Sequence, residues 1–273
     1  MAKKIIVRGG GDLATGTIAK LVRSGYHVLV LDIAAPSAIR REVAFCEAIY
    51  EGSKTVEEIT CYKAENLEQA KELLKKHHLA ILVDEEGKCI EEFKPDVLVD
   101  AILAKKNLGT HKDMAPITIA LGPGFEAGVD ADYVIETKRG HNLARVITQG
   151  FAAPNSGVPG VIAGFGKERV IHSPAAGILK NQVPLSSTVQ KGQVIATVEK
   201  DGQSVPVHAT IDGLLRGLIR DGYEVFEGMK IADIDPRLNE YQNCFTISDK
   251  ARAIAGGVLE AILRKESGYD LRG

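Results

Sequence analysis

Three consecutive glycines, Gly9, Gly10 and Gly11, are followed by Asp12 and then by Gly16. Bare glycine backbone takes positive φ at little cost and lets a ligand lie against main-chain N–H groups. When a helix follows, those N–H groups and the positive helix end face an anion, usually a phosphate. Asp32 stands 21 residues after Gly11, where an acid in a dinucleotide site holds a ribose 2′-OH. Asp12 reads two ways, as a helix N-cap or as a charge that repels a pyrophosphate. Asp100 and Lys105 follow a later apolar run, and Gly122-Pro123-Gly124-Phe125 forms a second glycine turn able to present N–H groups to an anion. Arg139 and His141 flank Gly140 in a loop, where functional side chains concentrate. The chemistry of this set is recognition of a phosphate-bearing ligand. It names no catalytic residue. The alternative is a turn that is merely tight, with Asp100 and Lys105 in a salt bridge or cap and His141 exposed or forming a cap.

These residues need strands and helices to bring them together. Residues 5–7 read as a short buried strand, 12–22 as a helix and 27–31 as a second strand. Residues 66–77 form an amphipathic helix with Asn66 as its cap. Residues 81–83, 95–101, 116–121 and 133–136 read as further strands. Alternating strand and helix predicts an α/β, Rossmann-like doubly wound domain over residues 1–165, with ligands at the C-terminal ends of its strands. Arg40 and Arg41, in a segment of helical character at 38–49, read a ligand phosphate or sit on a solvated helix face. FAAPNSGVPG, residues 151–160, is a linker or a shaped loop.

The second half repeats itself. A shift of 36 residues lays 171–198 on 207–234 without a gap, matching Gly177 to Gly213, Val189 to Val225 and Gly192 to Gly228. Two halves too small for separate cores should pack about a pseudo-two-fold. The pattern resembles the barrel-sandwich hybrid of biotinyl and lipoyl carrier domains, and assigns residues 166–236 to a small all-β domain of that kind. The hairpin at Lys200-Asp201-Gly202 lacks the Met-Lys-Met or Asp-Lys-Ala setting of a carrier lysine, and Asp-Gly is an ordinary hairpin turn. His172 and His208 match across the repeat but lack the partners of a metal site. Residues 237–273 read as a C-terminal helix over 250–264, capped at Ser248-Asp249 and packed back on the first domain, with a frayed tail from Ser267.

At 45% hydrophobic and 26% charged residues the chain has the composition of a globular protein. Its net charge of −2 advertises no nucleic-acid or anionic-membrane partner. The N-terminus lacks the apolar core of a signal peptide, and no apolar run spans a bilayer, so a cytoplasmic location is expected. Cys46, Cys61, Cys89 and Cys244 form no CxxC pair, so no structural metal is expected. None stands in the electropositive setting of a reactive thiol.

The order of GGGDLATG, VDAILAKKN, ALGPGFEAGVDADYVIETKRGHNLARVI and APNSGVPG resembles the YqeB-type proteins of the selenium-dependent molybdenum hydroxylase system. RGHNLARVI and APNSGVPG are its more specific stretches. That family is grouped with accessory factors of xanthine dehydrogenase-like enzymes that carry a Rossmann-like domain. The resemblance implies an accessory or maturation protein whose partner is a molybdenum hydroxylase, and which handles molybdopterin cofactor or labile selenium. A molybdopterin dinucleotide, or an NAD(P)-like nucleotide, carries the pyrophosphate and ribose that the glycine turn and Asp32 suit. Two other readings stand beside it. One is an NAD(P)-dependent oxidoreductase, for which no Ser-Tyr-Lys group follows the turn. The other is a protein-interaction scaffold with a vestigial nucleotide site. A homo-oligomer is left open.

Overall fold

β-Branched and apolar residues set the first strand. Ile5, Ile6 and Val7 are fully buried in β1 (Lys4–Arg8), which pairs in parallel with β2 (His27–Asp32). Between them runs α1 (Asp12–Arg23). Two single-turn 3₁₀ segments and α2 (Ala48–Glu51) lead into a hairpin of β3 (Ser53–Val56) and β4 (Ile59–Ala64). α3 (Leu67–His77) starts at Asn66, whose side chain accepts from Gln69 N at 2.9 Å. β5 (Leu79–Val83), α4 (Ile90–Phe93), β6 (Val97–Asp100) and β7 (Ile117–Leu121) follow. The short strands β8 (Glu126–Ala127), β9 (Tyr133–Ile135), β10 (Val146–Ile147) and β11 (Gly150–Phe151) come next.

The structure is a computed structural model that describes residues 3–268. The chain forms two compact units. The first contains the residues up to Pro36, Ala44–Ser156 and the residues from Ile247 on; the second contains Ser37–Val43 and Gly157–Thr246.

In the first unit nine strands form one sheet in the order β10-β9-β7-β6-β1-β2-β5-β4-β3. Ile6, Leu29, Leu31, Ala80, Leu82 and Leu98 pack on one face with Ala70 and Leu74 of α3 and Ile90 and Phe93 of α4. Their neighbours Ile5, Val7, Val28 and Val30, equally buried, alternate to the other face. The last helix, α5 (Asp249–Ser267), packs against α1 and against β7, β9 and β10. Ser248 caps it, accepting from Ala251 N at 3.2 Å. Of the expected tail, residues 269–273 lie outside the described residues.

The second unit holds β12 (Val170–His172), β13 (Gly177–Asn181), β14 (Thr188–Val189), β15 (Val194–Lys200), β16 (Gln203–His208), β17 (Gly213–Leu218), β18 (Glu224–Val225) and β19 (Lys230–Asp235). They make two four-stranded sheets, β12-β19-β17-β14 and β16-β15-β13-β18. The 36-residue offset carries each strand of one sheet onto a strand of the other. Leu179, Val189, Ile195 and Val198 share one core with Leu215, Val225, Ile231 and Ile234.

The expected pairing of a Rossmann-like doubly wound domain with a barrel-sandwich hybrid is corrected on both counts. The large sheet is mixed, with antiparallel pairs at both margins, β3 on β4 and β10 on β9. Its β6–β7 and β7–β9 connections contain no α-helix. The reason is local: 104–114 and 122–132 are rich in Gly, Lys, Asn and Asp, and lack an apolar helical stripe. In the second unit the ladders close two separate antiparallel sheets, each taking strands from both copies of the repeat. Glycine spacing and alternation report strands and turns, and leave open which strands pair. Residues 38–49, expected to be helical, form the two 3₁₀ turns and the start of α2 instead.

Candidate ligand site at the strand ends

The first glycine turn folds inward before it opens. Gly9 N donates to Leu31 O at 2.7 Å, and the positive φ of 95° at Gly9 reverses the chain. Gly10 N donates to Asp32 Oδ2 at 2.7 Å, while Asp32 Oδ1 accepts from Ile33 N at 2.8 Å. Gly10 O accepts from Cys46 N at 2.9 Å and from the Thr15 hydroxyl at 3.3 Å. A side chain at Gly10 would meet Cys46 N at 3.0 Å.

Gly11 differs. It is the N-cap residue of α1, in extended backbone, and being glycine it brings no side chain to cap that helix. A side chain built on Gly11 would meet nothing within 4 Å. The Cβ direction of Gly11, at the start of a 12-residue helix whose N-terminal end is positive, is open. Asp12 is half-buried at the first helical position. Gly16 serves packing: a side chain there would meet Ala251 Cβ at 2.7 Å, so it lets α1 and α5 approach closely.

Asp32 therefore holds the turn, with both carboxylate oxygens already on backbone N–H groups. Burial raises its pKa, and the bonds from Ile33 and Gly10 oppose the shift. The Cys46 thiol beside it is buried and pushed well up by desolvation, with Asp32 and Glu47 adding to the effect. Such a thiol is inert at neutral pH.

Asp100 ends β6 and is buried beside Arg8, its register partner on β1. The Thr110 hydroxyl donates to Asp100 Oδ2 at 2.6 Å and accepts from an Arg8 NH1 group at 2.6 Å. Arg8 also reaches Glu85 O at 3.0 Å. This network fastens strand ends and loops, and burial raises the Asp100 pKa. Lys105 is exposed in the following loop. The second glycine turn is a packing device: side chains would meet Thr137 Oγ1 at 2.6 Å from Gly122 and Lys106 Cα at 2.7 Å from Gly124. Arg139 pairs with Asp249 through its two terminal guanidinium nitrogens, at 3.0 and 3.1 Å, and both side chains are exposed. His141 is exposed in the same loop.

Sequence reasoning missed two residues here. Glu136 is buried at the end of β9, with Oε1 accepting from Lys138 N at 2.7 Å and Oε2 from Ala153 N at 2.8 Å. An acid at a strand end was its signal, as for Asp100. Lys250, in the first turn of α5, is half-buried, and its ammonium makes no hydrogen bond or ion pair recorded among the described residues. Desolvation lowers its pKa, as does Arg139, while Asp12, Glu136 and Asp249 raise it. No sequence pattern marks it. Arg40 and Arg41 are spent on carbonyls: Arg40 reaches Asn243 O at 3.0 Å and Thr246 O at 3.3 Å, and Arg41 reaches Leu218 O at 2.8 Å. His172 and His208 are exposed strand residues. Among the described residues no group of three or more His, Cys, Asp or Glu could hold a metal, and no helix is long and apolar enough to cross a membrane.

The first unit is thus a mixed α/β sheet with an open glycine turn at its strand ends. The chain is 46% identical to the uncharacterized protein YqeB of Escherichia coli K12 over 259 residues, which is 95% of this chain and 47% of YqeB. That identity supports kinship with YqeB, and the chain spans about half the length of this curated relative. No family model matches. Among solved structures, an aspartoacylase family protein from Mesorhizobium loti aligns at 9% identity and a TM-score of 0.30, covering 87% of this chain and 86% of that one. The ectoine utilization protein EutE of Ruegeria pomeroyi aligns at 11% identity and a TM-score of 0.27, covering 85% of each.

Proposed function

We propose that the protein binds a phosphate-bearing nucleotide or molybdopterin-type cofactor at the turn Gly9–Gly11. In this reading it serves, as its YqeB resemblance implies, as an accessory or maturation protein of a selenium-dependent molybdenum hydroxylase. The observation that carries the binding reading is the open face of Gly11 at the start of α1. Main-chain N–H groups there take one phosphate. Asp32 and Cys46 N hold Gly10 rigid behind it, so the turn is formed before the ligand arrives. Lys250, half-buried in the first turn of α5 and within electrostatic reach of Asp12, supplies a cation beside the turn.

Titration of the whole chain with NAD, NADP, CTP and a molybdopterin dinucleotide tests this reading. Micromolar binding that Gly11→Val abolishes supports it. Binding of equal strength to the Gly11→Val protein removes the turn from the site.

A further inference from the structure

A cleft of about 690 Å³ opens at the other edge of the large sheet. β6 runs parallel to β1, with Val97 beside Ile5 and Asp100 beside Arg8. The glycine turn follows the far end of β1, whereas the cleft is lined by Pro95 and Asp96, just before β6, and by Ala115 and Pro116, just before β7. α4 and the 3₁₀ turn Lys112–Met114 contribute its walls. α4 stops after four residues, at Lys94 with φ of 51°, and no α-helix joins β6 to β7. A crossover helix would fill such a space against the sheet. The short pieces leave it open.

The lining has an apolar part and a charged part. Ile90 is buried in the core of this face, and Met114 and Ala115 pack against that core. Pro95 and Pro116 have no N–H, so their rings meet the cleft without stranding a donor. In the charged part Asp132 is pinned by the backbone of β7. Asp132 N donates to Thr118 O at 2.8 Å, and Thr118 N donates to Asp132 Oδ2 at 3.0 Å. That fixes Oδ1, which pairs with Lys265 Nζ at 3.1 Å and Lys112 Nζ at 3.7 Å. The Asp132 side chain is only 7% exposed. One nearly buried carboxylate thus serves two ammonium groups, each with three N–H donors. One positive charge is left over at this point. The remaining acids of the lining weigh less. Glu91 and Asp113 are exposed, where water and salt screen them. Asp96 spends Oδ2 on Lys4 N at 2.8 Å. Together these acids still deter a ligand with several negative charges.

We propose that this cleft binds a small monocarboxylate with an apolar body. The ligand carboxylate bridges Lys112 and Lys265 and balances the charge that Asp132 leaves over. Its hydrocarbon covers Ile90, Met114 and Pro116. The volume is that of an ordinary small-molecule site. The cleft is separate from the glycine turn and stands whether or not that turn binds a nucleotide.

NMR titration of the whole chain with hexanoate, acetate and hexylamine tests the proposal. Hexanoate should saturate and bind about tenfold or more tighter than acetate, because its additional CH₂ groups leave water. Hexylamine should not saturate. Lys265→Gln removes one ammonium, and Pro116→Glu sets an acid in the lining. Each should weaken hexanoate binding about tenfold, with the unfolding midpoint checking that the variant folds. Should Lys265→Gln fail to fold, Pro116→Glu decides, since residue 116 is exposed. Gly11→Val should bind hexanoate within about twofold of wild type, as distant sites act independently. Hexanoate that does not saturate, hexylamine that binds as tightly, or wild-type affinity in either folded variant overturns the proposal. Loss of hexanoate binding in Gly11→Val also overturns it, by placing that ligand at the glycine turn.

Discussion

The repeat core of the second unit and the Gly11 turn of the first spend their glycines and charges differently. In the second unit Gly177 faces Glu199 O, which a side chain would meet at 2.5 Å, and Gly213 lies against Asp235 in the same crowded way. These glycines let strands approach. The buried charges there are paired as well. Asp233 holds Arg169 at 3.1 Å and Arg216 Nε at 2.9 Å, while Asp235 holds Arg216 at 3.2 Å and Arg237 at 2.8 Å. Asp233 and Asp235 are almost fully buried. In the first unit Gly11 faces open space, and Lys105, Lys106 and Lys250 have cationic ends without ion pairs recorded among the described residues. A network of paired buried charges specifies structure, whereas a rigid turn with an open face is what a ligand needs.

The largest expected effect breaks the closed side. Asp233→Ala leaves Arg169 and Arg216 with a buried partner missing, and should cost about 3–5 kcal/mol of stability. Urea unfolding of the whole chain reads this as a lower midpoint, and a shift near zero would mean that the arginines find other partners. Gly11→Val probes the open side. Its extended backbone accepts a β-branched residue, so stability should stay within about 0.5 kcal/mol while nucleotide affinity falls about 100-fold, or about 2.7 kcal/mol. A large loss of stability would make Gly11 a packing glycine like Gly16.

Lys250→Met sharpens the contrast at the same site, with an expected loss of about tenfold in nucleotide affinity. Equal affinity would make this lysine a bystander. Asp100 offers a pH test. Its folded pKa is raised, so its contribution to stability is fully present below the usual carboxylate value and is lost as pH rises through the folded value. The stability advantage of wild type over Asp100→Asn should therefore shrink as pH rises from about 4. A difference independent of pH would show that burial does not govern this carboxyl. Arg139→Ala should do least. Its ion pair with Asp249 is solvent-exposed on both sides and is worth about 0–1 kcal/mol.

Local structure was more legible in the sequence than its assembly. β1, α1 and β2 follow from apolar runs around the glycines, and the Asn66 and Ser248 caps stand where their residue types placed them. The 36-residue repeat returns as matched strands. Sheet closure did not follow, because pairing between distant strands leaves no local signal. A 101–116 connection without an α-helix is likewise decided by tertiary packing. At the site, the glycines were visible but their division of labour was not. Gly16 against Ala251 and Gly122 against Thr137 look in sequence like Gly11 in the open. Asp32 was legible as an acid at a strand end, but its inward turn to Gly10 N depends on the fold. Lys250 arrives from the last helix and carries no motif.

The most direct measurement is native mass spectrometry of the gently purified chain, followed by nucleotide titration of wild-type and Gly11→Val protein side by side. A dinucleotide mass on the wild type, micromolar affinity and the loss of both in the variant are the expected results. A wild-type protein that binds none of these ligands, or a Gly11→Val protein that binds them as well as wild type, contradicts the claim that the open turn is the working site.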